Sequence, residues 1–416
     1  MAAAYIRSRI FGGSRNTLVL TSAFLISTFN PDDYAGIRST SFYRTLSDDY
    51  ATPLLRKILD GEQAHAFAIK AVKYAGVRDG DTFGHDPTTS SFLSVILTGR
   101  KSRKLSLRNC VMLSAGFDKD AEAIVPLLAA GFGAVEIGSV TPEPQSGNPK
   151  PRVFRLLEDS GVINRYGFNS SGHSAVKSNL KSSLHSLSQI RSYHSLVSGS
   201  EGSIGVNLGK NTLSPSAVHD YTRGIRSLGP LSSYIVINVS CPNIKNLTKL
   251  QDDLKPLLDE CCKVRDDVCE RKMIFVKVGP DLNDEGIKKI SEVIINSDVD
   301  GIIVSNTSSS LRSTLKSPHS NEKGGLSGTP IKNISTKSVQ KFSEYLTPKG
   351  IPIIGVGGIF NSEDALEKIH AGASAVQVYT GLTYRGLGIV KEIKEGIVDE
   401  CKRKGVDNFM ELKGKE

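Results

Sequence analysis

The sequence predicts an α/β chain folded as a (β/α)8 TIM barrel with a small N-terminal helical cap. Eight short runs of β-prone residues recur from about residue 105 onward, each followed by turn residues and a helical pattern. Several runs are wholly apolar, as strands buried on both faces of a parallel sheet must be. Eight strand–helix units closing on themselves make a barrel. The rival arrangement, an open doubly wound sheet, lacks its GxGxxG fingerprint after the first run.

The runs cover 111–113, 134–137, 204–208, 234–239, 273–278, 301–304, 351–356 and 375–379. Polar residues stand where they end: Lys119, Ser139, Asn207, Asn238, Lys277, Asn306 and Thr307, then Gly357/Gly358 and Tyr379/Thr380. A barrel gathers such positions at one face, where its chemistry is built. Asn207, Asn238 and Asn306 each offer a donor and an acceptor, matching the alternating N–H and C=O edge of a pyrimidine dione. Lys119 and Lys277 are expected to supply fixed positive charge that need not titrate near neutral pH. The GVGG stretch at 355–358 and the YTG stretch at 379–381 suit capture of a phosphate by backbone N–H groups.

Ahead of the barrel the composition changes. Residues 1–31 hold Arg7, Arg9 and Arg15 and no acidic residue, the composition of a mitochondrial transit segment. The 13-residue apolar run at 17–29 is short of the ~20 residues a spanning helix needs. It is read as a weak membrane anchor, a secretory signal being the competing reading. A linker is expected over 32–50, and a two-helix cap over 51–85. Thr52-Pro53 suits an N-cap and first helical position, and Asp60-Gly61 a break. A second helix over 62–75 carries Ala64, Phe67, Ala68, Ala71 and Val72. These helices suit an ordinary hairpin docked on a core or a cap at a membrane surface equally well. The barrel is expected to fill 105–416.

With 39% hydrophobic and 23% charged residues in 416, disordered, collagen-like and disulfide-scaffold classes are excluded. The net charge of +9 comes from 52 basic and 43 acidic residues that are scattered rather than striped, so no nucleic-acid partner is expected. None of the six cysteines lies in a CxxC, and Cys261, Cys262 and Cys269 lack nearby histidines, so no metal site is expected. Cys262 and Cys269 are placed on one buried face of a helix over 254–271. The stretches 170–203 and 308–323 read as mobile insertions, the latter a possible lid.

The motif segments carry a family resemblance. AGFDK at 115–119, EIGSVTPEPQSGNPKPRVFRLL at 136–157, VINRYGFNSS at 162–171, GVNLGKNT at 205–212 and INVSCPNI at 237–244 resemble dihydroorotate dehydrogenases. So do SNTS at 305–308, GGLSGT at 324–329, IIGVGGI at 353–359 and VQVYTGLT at 376–383. The likeness runs from about residue 42 to about 400, and the extended N-terminus resembles the membrane-associated, quinone-using class.

The resemblance implies an FMN barrel that oxidises dihydroorotate to orotate, the fourth step of pyrimidine synthesis, and passes electrons to ubiquinone at the inner mitochondrial membrane. It implies flavin contacts at Ala115, Gly116, Lys119, Ser139, Asn207, Asn238, Lys277, Ser305, Gly328, Gly357, Gly358, Tyr379 and Thr380. Substrate positions fall on Lys119, Asn164, Phe168, Asn238, Asn243, Asn306 and Thr307, and quinone-channel positions on His65, Arg155 and Tyr379. Arg56 stands at the channel mouth where the family leads one to expect glutamine.

The base position falls on Cys241. The membrane-associated class is expected to place serine there and threonine three residues on, where this chain has Ile244. The active-site loop thus resembles the soluble class inside a chain of the membrane class. A thiol, which ordinarily titrates at about 8.5, ionises far more readily than a serine hydroxyl.

Overall fold

A computed structural model of the protein describes residues 59–75, 87–189, 202–239 and 247–415. The leader, the linker, the first cap helix as far as residue 58, Arg56, and the loop with Cys241, Asn243 and Ile244 lie outside the described residues.

In chain order, helices α1 (Gly61–Ala75) and α2 (Pro87–Leu93) lead into strands β1 (Val95–Thr98) and β2 (Lys104–Leu107). Then follow β3 (Val111–Leu113), α3 (Ile124–Ala129) and β4 (Ala134–Val140), an excursion through β5 (Val153–Leu156) and β6 (Gly161–Asn164), and α4 (Gly172–Gln189). Next come β7 (Ser203–Leu208), α5 (Ala217–Leu228), β8 (Tyr234–Asn238), α6 (Leu247–Cys269), β9 (Met273–Val278) and α7 (Asp284–Ile295). The chain ends through β10 (Gly301–Val304), β11 (Gly325–Gly328), α8 (Lys332–Leu346), β12 (Ile353–Val356), α9 (Ser362–His370), β13 (Ala375–Val378), α10 (Thr380–Arg385) and α11 (Gly388–Lys404).

Strands β3, β4, β7, β8, β9, β10, β12 and β13 close in that order into a parallel barrel, β13 returning to pair with β3. Each corresponds to one of the eight predicted runs. The reason they are legible is burial: from β7 to β13 nearly every barrel residue is inaccessible, and barrel walls tolerate few polar positions. The register sets the site, since Lys277 on β9 pairs with Asn238 on β8 and brings both side chains to one level at the C-terminal rim.

Two smaller sheets flank the barrel. The antiparallel hairpin β1–β2 alternates buried and exposed residues, and its turn supplies Arg103 to acids at the N-terminal end of the barrel. At the opposite end β5, β6 and β11 form a three-stranded antiparallel sheet over a separate cluster of Phe154, Leu156, Ile163, Leu326 and Ile331. Neither sheet is among the predicted runs.

Several expectations are corrected. Residues 59 and 60 are not helical, and α1 opens at Gly61, one residue earlier than expected, where Asp60 caps the helix by accepting from the backbone N–H groups of Glu62 (2.9 Å) and Gln63 (2.8 Å). Residues 172–189 of the supposed mobile stretch form the helix α4 that packs against β4 and α3. The stretch 308–323 is tied down, since Asp281 accepts from Ser308 Oγ (2.6 Å), Ser309 N (2.6 Å) and Ser310 Oγ (2.7 Å). Further along, Asp159 accepts from the backbone N–H groups of Lys316 (2.9 Å) and Ser317 (3.0 Å). The cysteine helix begins earlier than expected and contains Pro256; Cys262 is buried, whereas Cys269 is half-buried.

Candidate active site

The strand ends open into a cavity of about 1330 Å³ at the C-terminal rim. Such a volume holds a cofactor and a small substrate together, since drug-sized pockets span roughly 300–1,000 Å³. Of the predicted residues, Ala115, Gly116, Lys119, Ser139, Asn164, Phe168, Asn238, Lys277, Ser305, Asn306, Thr307, Gly328, Gly357, Gly358, Tyr379 and Thr380 line it. His65 and Arg155 border the same cavity. Asn207 does not. It is fully buried one layer behind, where its Oδ1 accepts from Ser139 Oγ (2.5 Å) and Asn238 Nδ2 (3.4 Å).

The cavity has a polar end and an apolar branch. At the polar end Asn238 Oδ1 accepts from Asn306 Nδ2 at 3.1 Å, and Asn306 Oδ1 accepts from the backbone N–H of Thr307 at 2.8 Å. Lys277 Nζ donates to Ser114 Oγ at 3.0 Å and to Glu136 at 3.2 Å. Lys119 Nζ donates to Asn169 Oδ1 at 2.6 Å and lies 3.2 Å from the centre of the Tyr166 ring. Phe168 sits in the left-handed backbone region (φ 54°), which a bulky side chain adopts only when its surroundings hold it there. One such hold is the bond from Gln145 Nε2 to its carbonyl (2.8 Å).

The fixed charge expected of Lys119 is not what its surroundings allow. Burial, with the Arg152 guanidinium adding repulsion, pushes its ammonium down to about 7. The main cause is desolvation of the charged form, which the attraction of Glu62 and Asp120 does not offset.

The apolar branch runs along α1, whose Ala64, His65, Ala68 and Val72 face the cavity. His65 Nε2 lies 2.6 Å from the carbonyl of Phe117, which can only accept, so that nitrogen carries the proton. Its Nδ1 is left to accept from Tyr166 OH at 3.4 Å. Burial pushes the imidazole down to about 4, so it is neutral at physiological pH. The two ends meet at Tyr379, whose ring lies 6.2 Å from His65 and 6.0 Å edge-on from Phe117, and whose hydroxyl donates to the carbonyl of Gly116 at 3.1 Å.

The residues present fit a phosphorylated planar cofactor. Gly357 (φ 116°) and Gly358 (φ 73°) form a turn whose cavity side carries only backbone. A Cβ on Gly358 would lie 2.5 Å from that of Lys332, so the turn tolerates no side chain. Beside it Ser305 Oγ is buried, borders the cavity and lacks a hydrogen-bond partner among the described residues. A buried hydroxyl left in that state is completed by a ligand. Among the described residues no group of His, Cys, Asp or Glu is arranged to hold a metal ion.

Sequence reasoning missed Glu136, Gln377 and Ser114, which meet around Lys277. The available signal was a charged or amide residue inside an otherwise apolar strand, at AVEIGSV and AVQV.

A family model described as dihydroorotate dehydrogenase matches residues 100–400. The mouse protein named dihydroorotate dehydrogenase (quinone), mitochondrial, is 41% identical over 389 residues, covering 91% of this chain and 94% of its own. A protein of Agrobacterium fabrum named dihydroorotate dehydrogenase (quinone) is 39% identical over 362 residues, covering 86% and 93%. Among solved structures, DHODH from Eimeria tenella in complex with ferulenol superposes with a TM-score of 0.76 at 35% identity, covering 87% of this chain and 97% of that one.

Proposed function

The chain belongs to the dihydroorotate dehydrogenase family, and from that premise we propose how its residues divide the work. It oxidises dihydroorotate to orotate in pyrimidine biosynthesis, with a quinone as electron acceptor. The observation that carries this reading is one cavity with a polar, amide-lined end and an apolar branch that meet at Tyr379.

FMN is the proposed cofactor; when bound it would supply the chemistry of hydride acceptance from the substrate and electron transfer to the quinone. Ser305, Gly328, Gly357, Gly358, Tyr379 and Thr380 would hold its phosphate end, and Ala115, Gly116, Ser139 and Lys277 its ring. Lys277 stabilises negative charge at the ring by its fixed ammonium. Asn164, Asn238, Asn243, Asn306 and Thr307 fix the substrate by its donor and acceptor edges, Phe168 closes over it, and Lys119 meets its carboxylate. Cys241 removes the proton from carbon 5, so proton and hydride leave from adjacent carbons. His65, Arg155 and Tyr379 border the branch that admits ubiquinone. The arginine-rich leader and the apolar run at 17–29 are proposed to bring the chain to the inner mitochondrial membrane. Among the described residues no helix is long and apolar enough to cross a membrane.

The test is one cuvette. The purified protein shows flavin absorbance, dihydroorotate bleaches it without oxygen, and a quinone analogue restores it. Restoration by fumarate or NAD in place of the quinone would overturn the acceptor assignment, and absence of bleaching would overturn the activity.

Two further results are expected. Replacing Arg155 with Met should raise the KM for a short-chain quinone about tenfold, the worth of one hydrogen bond to a charged group, and leave the bleaching rate unchanged. A slowed bleaching rate would place Arg155 at the other half of the reaction. Orotate binding should also take up a proton at Lys119. Above about pH 7 the Lys119 side chain without substrate is mostly the neutral amine, and an arriving carboxylate favours the charged form. Calorimetry in two buffers of different ionisation enthalpy should show the uptake near pH 8 and none near pH 5.5, where Lys119 is already charged. Lys119→Arg should bind orotate without it.

A further inference from the structure

Directly behind the cavity wall lies an acid that touches no solvent. Glu136 is fully buried in β4 and does not itself border the cavity. Its Oε1 accepts from Asn207 Nδ2 (2.9 Å) and Lys277 Nζ (3.2 Å), and its Oε2 from Gln377 Nε2 and Tyr234 OH (3.4 Å). Among the described residues, three obligate donors and the Tyr234 hydroxyl converge on it, a set that an ionised carboxylate accepts in full.

We propose that Glu136 is a positioning residue that sets the direction of the amide side chains facing the substrate and moderates the charge of Lys277 at the flavin. The inference rests on the reading of the site above.

The first part follows from connectivity. A carboxamide turned end for end has the same shape, so packing alone cannot choose which end faces out. Glu136 can only accept, and therefore compels Asn207 to turn its NH2 inward and its oxygen outward. That oxygen takes the bonds from Ser139 Oγ (2.5 Å) and Asn238 Nδ2 (3.4 Å). With its NH2 committed, Asn238 presents its oxygen to Asn306 Nδ2 (3.1 Å). One polarity thus runs from a buried charge through three amides to the rim where substrate sits. Gln377 obeys the same constraint on the other side, its NH2 toward Glu136 and its oxygen toward Lys277 Nζ (3.4 Å).

The second part follows from charge. A carboxylate 3.2 Å from Lys277 Nζ makes the local pair neutral overall, in a layer where water does not screen it. Removing the negative charge leaves the ammonium unopposed and favours the reduced, more negative flavin.

The experiment uses the flavin-loaded enzyme. Wild type is titrated with orotate first; a perturbed flavin spectrum upholds the site reading, and its absence sinks that reading rather than this one. Glu136→Gln keeps the size but points an NH2 at groups that are themselves donors. It should weaken orotate binding on the order of tenfold or more, and shift the flavin midpoint potential upward. Tyr234→Phe, which keeps the charge and removes one of the two longest bonds, should move neither. A purely structural role would lower Tm and flavin retention but leave the potential of the loaded fraction where it was. An unchanged value of either readout in Glu136→Gln overturns the proposal. If that variant holds no flavin, Glu136→Gln/Lys277→Met, which also removes the stranded ammonium, is compared with Lys277→Met. Equal orotate affinity in those two overturns the proposal, and so does a double variant that cannot hold flavin, since Glu136 would then serve folding alone.

Discussion

Cys241→Ala is expected to slow flavin reduction by dihydroorotate about 10²–10⁴-fold, the usual worth of a positioned base. Orotate should still perturb the flavin, because the amides that bind it are untouched. The residue follows β8 closely, three positions after Asn238, whose side chain borders the cavity. With a thiol as base, the rate should rise with pH through about 8.5 and then level, as the thiolate forms. Iodoacetamide should abolish turnover, and orotate should protect. Cys241→Ser is the sharper probe. A serine hydroxyl needs a neighbour to carry the proton onward, and Ile244 offers none. That variant should be nearly as slow as alanine at neutral pH, with partial recovery in Cys241→Ser/Ile244→Thr. Full turnover by Cys241→Ser alone, or indifference to alkylation, would remove cysteine from the base position.

What the sequence makes legible follows from how each feature depends on its neighbours. A barrel strand such as 234–238 or 273–278 is apolar because both of its faces are covered, and that reads out of the residues one by one. The rim residues are legible for the same reason, since Asn238 and Lys277 are polar exceptions at the ends of such runs. Strands β1 and β2 are four residues each and alternate buried with exposed, too short a pattern to stand out from a loop. The stretch 308–323 reads as mobile because its composition is serine-rich, yet those hydroxyls are what Asp281 holds. Residue type alone keeps Lys119 charged; only its burial reveals otherwise. Glu136 escapes notice because one acid in AVEIGSV does not disturb a strand pattern, and its four partners come from strands up to 241 residues away.

Arg265→Met is expected to destabilise the fold by about 3–5 kcal/mol, the cost of stranding a buried charge. Arg265 and Asp300 are both fully buried at the N-terminal end of the barrel and pair at 2.8 Å, with further bonds from Arg265 to Asp298 (2.7 Å) and Asp266 (2.8 Å). Asp300 also accepts from the backbone N–H groups of Ile274 (2.8 Å) at the start of β9 and Arg100 (2.8 Å) in the β1–β2 turn. It therefore ties two barrel strands to the hairpin beneath them. Arg103 reaches the same carboxylate at 3.4 Å and cannot replace the shorter contact. Burial already holds the Asp300 carboxyl above the usual carboxylate range, and losing Arg265 raises it further. A group with a raised folded-state pKa costs stability as pH rises through that value and costs none below its unfolded one. The deficit of the variant should therefore be largest at neutral pH and shrink as the solution is acidified and Asp300 takes up a proton. Adding Asp300→Asn should recover part of the loss at neutral pH, because the amide oxygen keeps one of the two backbone bonds without the charge. Denaturant midpoints at neutral and mildly acid pH decide it. A loss that does not diminish toward acid pH, or a double variant less stable than the single one, would show that Arg265 serves by packing and not by neutralising Asp300.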